Sequence, residues 1–202
     1  MNILLVTSSP RGSASHSTQI ARALAERLAV GKPGADIVVR DLAAAPLPHI
    51  NDAFAVAREL PPEKLTAAQR ETLRLSDALV KELMESDIVI LAAGMINFGI
   101  PSTLKTYIDH ILRPRATFRY TPNGPEGLVT GKKIYLVVAR GGVYSQGTMQ
   151  TLNFQDTYLR AALGFIGLRD LEVITVEGVA FGPDAARKAV TDALARISDL
   201  AA

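Results

Sequence analysis

The chain has 202 residues, of which 48% are hydrophobic and 21% charged, and these values are typical of one globular domain with a sizeable core. It has no cysteine, which excludes disulfides, thiolate catalysis and cysteine-ligated metals, and its three histidines lie too far apart to suggest a zinc site. We therefore expect a single domain over residues 1–202 and no metal.

The charge distribution and the hydropathy exclude further classes of protein. The net charge is only +2, and lysine and arginine are spread along the chain, so nucleic acid is not an expected partner. No apolar run approaches the ~18 residues of a membrane span. The first residues also lack the charged start and long apolar stretch of a signal peptide. We expect a cytoplasmic protein that does not bind membranes.

Short apolar runs alternate along the chain with segments of helical period, which is typical of a parallel sheet covered by helices on both faces. The strands are predicted at Ile3–Thr7, Ile37–Arg40, Ile88–Ala93, Ile134–Ala139 and Glu172–Val176. The helices are predicted around Ile20, Leu24 and Leu28, from a capping box at Thr66–Gln69 toward Met84, over Thr103–Leu112, over about Thr148–Leu163, and after Gly182-Pro183.

Two proline-rich stretches interrupt this alternation: "AAAPLPHINDAFAVARELPPEK" and "RPRATFRYTPNGPEGLVTG". Each predicts a long excursion from the sheet. Loops of this length inside a compact domain are more often functional than not.

The loop after the first strand is rich in serine, with Ser8, Ser9, Ser13, Ser15 and Ser17 just before or at the start of a helix. The N–H groups and partial positive charge of a helix N-terminus favour an anion, and serine hydroxyls add donors without adding charge. The lysine motif of polyphosphate-binding loops and the GxGxxG motif of dinucleotide sites are both missing, so a phosphate monoester is the favoured ligand. Helix capping alone is the alternative, although one serine would suffice for it.

The loops after the third and fourth strands are also unusual, and ligands of open α/β sheets collect at this edge. Asn97 and Phe98 follow the third strand, and Gly141 and Gly142 follow the fourth. Taken singly, Phe98 could be a core residue and the glycines a plain turn. Together, an amide, an aromatic ring and bare backbone donors favour a large planar heterocycle with polar edges.

These residues, with "RDLAAAPLP", "MINFGIPSTLKTYID", "TFRYTPNGPEGLVTGKK", "ARGG" and "LGFIG", extend over nearly the whole chain. In them the chain resembles the FMN-dependent, NADH-using azoreductases of the flavodoxin-like superfamily, which are also described as quinone reductases. The resemblance implies a three-layer sandwich whose five-stranded parallel sheet has the order 2-1-3-4-5. It also implies a homodimer with two active sites at the subunit boundary.

The resemblance assigns FMN contacts to three stretches of the chain. It places the phosphate and ribityl chain at Ser9 and Ser15–Ser17, the isoalloxazine ring at Met95–Phe98, and its pyrimidine edge at the backbone of Ala139–Gly142. The individual residues are Ser9, Ser15, His16, Ser17, Met95, Ile96, Asn97, Phe98, Ala139, Arg140, Gly141 and Gly142. From the residue pattern alone, His16 is expected to face solvent in the first helical turn.

The resemblance also implies the reaction. Hydride would pass from NADH or NADPH to flavin N5 and then, in a ping-pong cycle, to a quinone or an azo compound, whose azo bond is cleaved to two amines. No catalytic side chain is needed, because the cofactor carries the chemistry. Phe98, Tyr120 and Phe165 are the candidates to bind flat aromatic substrates. Ile96 stands where many family members have tyrosine, so a more apolar substrate pocket is expected.

Two alternative functions, and one further role for a basic stretch, stay open on the sequence. A flavodoxin-like electron carrier would keep FMN without catalysis, but such carriers present an acidic docking face and this chain is slightly basic. A receiver-type module would need aspartates where Ser8 and Ser9 stand. The basic residues Arg113, Arg115 and Arg119 could attract nucleotide phosphates, although a solvated loop is the favoured interpretation.

Overall fold

The computed structural model describes residues 1–200. In chain order the strands are β1 (Asn2–Thr7), β2 (Asp36–Asp41), β3 (Ile88–Gly94), β4 (Phe118–Thr121), β5 (Gly124–Gly127), β6 (Lys133–Ala139) and β7 (Leu171–Val176). The helices are α1 (His16–Ala29), α2 (Asp52–Arg58), α3 (Ala67–Glu85), α4 (Ser102–Ile111), α5 (Phe154–Phe165) and α6 (Pro183–Leu200).

Five of the strands form one parallel sheet in the order β2-β1-β3-β6-β7, with each pair in continuous register. Since β4 and β5 lie outside this sheet, the expected order 2-1-3-4-5 is confirmed. Buried aliphatic side chains on both faces explain why these strands read as continuous apolar runs. Each strand was predicted within one residue of its observed ends.

The sheet separates two hydrophobic clusters, and each cluster is covered by its own helices. On one face α1 and α6 bury residues such as Leu24 and Ile197 against the sheet. On the other face α3, α4 and α5 bury residues such as Leu83, Ile108 and Leu159. The helices on both faces thus give the expected three-layer sandwich.

Two details of the helix prediction have different outcomes. The capping box at Thr66 is confirmed, because its hydroxyl accepts from Gln69 N–H and the Gln69 side chain accepts from Thr66 N–H. The single helix over 148–163 is wrong. A 3-10 helix (Thr148–Leu152) comes first, and then the Asn153 side chain accepts from Asp156 N–H and begins α5 as a separate helix.

Both proline-rich stretches contain regular structure that the sequence prediction left out. The first holds α2, which begins where the Asn51 side chain accepts from Phe54 N–H, and Phe54 packs edge-on against His110 of α4. The second folds into the antiparallel β4-β5 hairpin, with Gly124 in the left-handed region at its turn. The excursions are therefore ordered elements docked on the sandwich.

No helix within residues 1–200 combines the length and the apolar character that a membrane crossing requires.

Candidate functional site

The loops that follow β1, β3 and β6 meet at the carboxyl edge of the sheet, because these strands are neighbours in it. They line a cleft of about 190 Å³ together with one residue from the loop after β7. Its lining residues are Ser9, Pro10, Arg11, Ser15, His16, Gly94, Met95, Ile96, Pro101, Ala139, Arg140, Gly141 and Val179. An adjoining cleft of about 260 Å³ is lined by Met95, Asn97, Phe98, Gly141, Gly142 and Tyr144.

Ser15 and Ser17 lie at the start of α1, at the end of the cleft that the serine loop forms. Their hydroxyls hydrogen-bond to each other at 3.0 Å, and Ser17 is fully buried while Ser15 lines the cleft. Ser15 is the N-cap residue, yet its hydroxyl makes no capping hydrogen bond with the first turn. The first backbone bond of α1 joins Gln19 N–H to Ser15 C=O, so the earlier N–H groups of the turn are left for a ligand.

The other serines of the loop have different surroundings. Ser9 lines the cleft, and its hydroxyl accepts from Arg11 N–H at 3.3 Å. Ser8 is buried and donates to Ala92 C=O at 2.8 Å, which ties the loop to β3. Ser13 is exposed and lines neither cleft. The serine loop therefore divides into residues that face the cleft and residues that hold the loop in place.

His16 also lines the cleft, and the expectation that it faces solvent is wrong for one of its ring nitrogens. Nδ1 is buried and has no hydrogen-bond partner within the described chain. The first turn of a helix needs no side-chain acceptor at this position, so nothing in the fold itself uses this atom. A buried polar atom without a partner costs about 1–3 kcal/mol. A ligand in the cleft would remove that cost.

A tight turn at Ile96–Gly99 presents the residues after β3. Ile96 and Gly99 exchange two backbone hydrogen bonds, of 3.1 and 3.0 Å, and the two residues between them have left-handed backbones. The φ values are 46° at Asn97 and 70° at Phe98. An aromatic residue rarely adopts such a backbone, and strained conformations of this kind cluster at functional sites. The turn places the Phe98 ring edge-on to Tyr144, with ring centroids 6.3 Å apart.

The glycine turn after β6 directs its acceptors inward and leaves donors available. The carbonyls of Arg140, Gly141 and Gly142 accept from backbone N–H groups of residues 178–180. By contrast, the N–H groups of the two glycines have no partner within residues 1–200, and both glycines line a cleft. A Cβ at Gly142 would lie 3.2 Å from the Tyr144 ring, and one at Gly141 would lie 3.3 Å from Ala180 Cβ. Side chains at these positions would crowd the cleft wall.

The Arg140 side chain points away from the cleft into a buried polar network. Its guanidinium bonds to Gln155, Glu177 and Asp156, and the side chain is fully buried. Ala139 C=O accepts from Met95 N–H at 2.8 Å, which joins the end of β6 to the loop after β3. Of the stretch 139–142, only the glycines therefore have backbone donors free for a ligand.

Tyr120 and Phe165 lie together at another place on the surface. Both rings pack against the buried Phe118, at centroid distances of 5.5 and 4.7 Å, and neither lines the clefts that hold Phe98. Tyr120 is 72% exposed. Phe118 anchors the hairpin in the core. Within one chain the three candidate substrate residues thus fall into two groups.

The three arginines of the second excursion are already engaged within the chain. Arg113 is buried and pairs with Asp77 at 2.5 Å, which corrects its assignment to a solvated loop. Arg115 donates to Glu59 C=O. Arg119 pairs with Glu126 across the exposed hairpin, and this hydrogen bond raises the pKa of Arg119 and lowers the pKa of Glu126. None of the three lines the clefts.

The sequence prediction missed Tyr144 and Arg11 as residues of the site. Tyr144 lies two residues after the paired glycines, in a loop already singled out, so its position was a usable signal. Arg11 follows the first two serines and lines the cleft, where a guanidinium complements an anion. No pattern in the sequence distinguishes it from the other arginines.

The family model for the flavodoxin-like fold, Flavodoxin_2, matches residues 1–201. The chain belongs to this family. A relative from Rhizobium johnstonii named FMN-dependent NADH:quinone oxidoreductase is 52% identical over 200 residues, which are 99% of this chain and 98% of the relative. A relative of the same name from Mesorhizobium japonicum is 50% identical, with 100% and 96% of the two chains covered.

A solved structure agrees with the fold described above. The crystal structure of an azoreductase from Bacillus anthracis str. Sterne is 29% identical to this chain and superposes with a TM-score of 0.90, covering 100% of this chain and 98% of the other. The two proteins therefore share the same overall fold.

Proposed function

We propose that this protein is an FMN-dependent oxidoreductase that uses NADH to reduce quinones and aromatic azo compounds. One observation supports this most directly: a helix N-terminus with cleft-facing hydroxyls lies on the same cleft as Gly141, whose N–H group is free, and the free N–H group of Gly142 lies on the adjoining cleft. A phosphate monoester joined to a planar ring with carbonyl acceptors matches both ends. Relatives that are about half identical over nearly the whole chain are named FMN-dependent NADH:quinone oxidoreductase, and the Bacillus anthracis structure, 29% identical, is named an azoreductase.

The residues at the serine end fit the phosphate of FMN. Ser9, Ser15 and the first-turn N–H groups of α1 supply neutral donors, and Arg11 supplies the positive charge. His16 Nδ1, which has no hydrogen-bond partner among residues 1–200, can hydrogen-bond to the phosphate or the ribityl chain. Ser17 acts from behind, since its buried hydroxyl orients that of Ser15.

The residues at the glycine end fit the isoalloxazine ring. The N–H groups of Gly141 and Gly142 donate toward the pyrimidine edge, where they stabilise negative charge. Met95, Ile96 and the Asn97-Phe98 turn form the other wall beside the reacting edge of the ring. FMN, when bound there, would supply the chemistry of hydride transfer between the nicotinamide and the acceptor.

Side chains around the adjoining cleft bind flat substrates. The Phe98 and Tyr144 rings stand edge to face at its rim and offer a surface for stacking. Ile96 is 43% exposed, so its apolar side chain is available to a substrate where a tyrosine would add a hydroxyl. We propose a preference for apolar quinones on this basis.

We further propose that the protein is a homodimer in which Tyr120 and Phe165 reach the site of the partner subunit. Tyr120 on the hairpin and Phe165 at the end of α5 support this, because both rings are exposed away from the clefts of their own chain and exposed aromatic rings suit an interface. A cytoplasmic location, where NADH is supplied, stays a prediction. NADH is proposed over NADPH because the relatives are named for it.

Cofactor content is the first test. FMN has about 30 non-hydrogen atoms, and about 0.3 kcal/mol for each gives about 9 kcal/mol, which corresponds to a sub-micromolar dissociation constant. The purified protein should therefore be yellow, and apoprotein titrated with FMN should quench flavin fluorescence. A colourless protein that leaves the spectrum of added FMN unchanged would refute the proposal.

Activity then separates the enzyme from an electron carrier. With FMN bound, NADH should be oxidised in repeated turnovers when menadione or an azo dye is present. Azo cleavage should consume two NADH for each dye, because the cleavage takes four electrons. A protein that binds FMN but transfers electrons only to a protein partner would instead be a flavodoxin-like carrier.

A further inference from the structure

Arg140 is the largest fully buried side chain of the molecule, and it lies directly before the two glycines of the proposed flavin site. Its Nε donates to Gln155 at 3.0 Å and its Nη1 to Glu177 at 2.6 Å, while its Nη2 pairs with Asp156. All three guanidinium nitrogens are thus used inside the protein. The side chain is also fully buried, so the guanidinium is not exposed to the cleft.

Glu177 connects this guanidinium to the glycine loop. Its Oε1 accepts from Arg140 and also from Tyr144 N–H at 2.9 Å, and its Oε2 accepts from the Ser145 hydroxyl at 2.6 Å. The carboxylate therefore fixes the far end of the loop that begins at Arg140. Both ends of Gly141–Gly142 are held by one ion pair.

Gln155 and Asp156 connect the same guanidinium to two other elements. Gln155 is fully buried and donates to Ala93 C=O on β3 at 3.1 Å. Asp156 accepts from Asn153, whose side chain also begins α5. Arg140 thereby links β3, the start of α5 and the residue after β7 around one charge. Removing one partner of such a buried pair leaves an uncompensated charge and costs far more than the pair contributes over an apolar replacement.

We propose that Arg140 and Glu177 are positioning residues for the flavin: their ion pair holds the N–H groups of Gly141 and Gly142 and the Tyr144 ring in the geometry that the isoalloxazine ring needs. The inference rests on the proposed function. It gives the Arg140 side chain an indirect role, in contrast to the direct cofactor contacts expected along the 139–142 stretch.

The test compares three variants with a matched control. Arg140→Met removes the charge, Arg140→Lys keeps the charge without the fork of donors, and Glu177→Gln keeps an acceptor for Tyr144 N–H without the charge. Arg113→Met is the control, because Arg113 is also buried and paired with a carboxylate, Asp77, but lines neither cleft. FMN dissociation constants, visible circular dichroism of bound FMN and melting temperatures of the apoproteins are measured for each.

We expect Glu177→Gln to weaken FMN binding about tenfold and to change the circular dichroism of the bound flavin, with Arg140→Lys retaining part of the affinity that Arg140→Met loses. Arg113→Met should lower the melting temperature and leave the FMN dissociation constant within twofold. If Arg140→Met does not fold, Glu177→Gln decides alone. Amide exchange of Tyr144 in the apoprotein should also quicken in Glu177→Gln, and this readout needs no cofactor.

Two results would overturn the inference. If Arg113→Met weakened FMN binding as much as the Glu177 and Arg140 variants did, the effect would be one of general stability. If Arg140→Met alone weakened binding and Glu177→Gln left it unchanged, Arg140 would contact the cofactor directly. Failure of the wild-type protein to bind FMN would instead count against the proposed function, so the two failures are distinguishable.

Discussion

At the serine end of the cleft, the groups that face a ligand are neutral hydroxyls and the N–H groups of a helix's first turn, with Arg11 as the lining cation. At the glycine end they are backbone N–H groups that a buried ion-pair network holds from behind. The serine end can bind a phosphate with little organisation, because a helix N-terminus is already an anion site. A planar ring needs donors at fixed positions, and the second end supplies that rigidity.

A carboxylate at the serine end should weaken FMN binding more than any other substitution considered below changes binding or activity. Ser15→Asp puts a negative charge at the N-cap, where aspartate caps helices well, so the fold should be kept. The FMN dissociation constant should nevertheless rise at least about 100-fold, or about 2.7 kcal/mol, through the lost donor and the repulsion of the phosphate. Ser13→Asp, in the same loop but outside the cleft, is the control. Equal FMN binding by the two variants would show that Ser15 serves only the helix.

Substitutions at Phe98 test whether the left-handed turn at the glycine end of the cleft is strained. Phe98→Gly and Phe98→Ala both remove the ring, and each should lower quinone turnover about tenfold. The glycine variant should be more stable than the alanine variant by about 1 kcal/mol, because φ at this position is 70° and only glycine adopts it freely. Urea unfolding compares the two. Equal stabilities would mean that the turn relaxes and stores no strain.

Ile96→Tyr should change substrate preference by a smaller factor. The added hydroxyl gives the cleft a donor for one substrate carbonyl or hydroxyl, which is worth about 1 kcal/mol. We expect kcat/KM for a hydroxylated naphthoquinone to rise about fivefold relative to the unsubstituted quinone, measured with the variant saturated with FMN. Ratios that stay equal across a panel of quinones would remove Ile96 from the specificity determinants.

The smallest effect is expected outside the cleft, at the exposed arginines of the second excursion. Arg115 and Arg119 are engaged by Glu59 C=O and Glu126, away from the two clefts. Arg115→Ala and Arg119→Ala should therefore leave the KM for NADH within about twofold, since screened surface charges contribute little. Steady-state kinetics at low and high salt measure this. A KM that rose several-fold only at low salt would make these residues nucleotide-steering groups.

The part of the site formed by residues that directly follow a strand could be predicted from the sequence. Ser9, Asn97 and Gly141 each follow a predicted strand, and neighbouring parallel strands bring such residues to one edge. The direction of the Arg140 side chain was not accessible, because its partners come from residues 155, 156 and 177 on separate elements. Their meeting depends on how α5 packs beside the sheet.

The fold likewise has elements that could be predicted locally and elements that depend on contacts between distant residues. The β3 run and the α1 pattern report burial within one element, so their type and limits can be read locally. Helix α2 could not be placed in this way, because its seven residues give little periodicity and its buried residues pack against distant elements. Phe54 and Ala57 cluster with Leu73 of α3, and the Phe54 ring packs against His110 of α4. Short elements gain their stability from docking, which a local pattern does not contain.

The sequence by itself determined the sheet, its strand limits and the cluster of polar and glycine residues at its carboxyl edge, because apolar periodicity and turn chemistry are local properties of the chain. Only the tertiary structure decided which serines face the cleft, that Arg140 turns inward, and that Tyr120 and Phe165 lie apart from Phe98. Those outcomes depend on side-chain packing and charge pairing between elements far apart in sequence, where the competing arrangements differ by only a few kcal/mol.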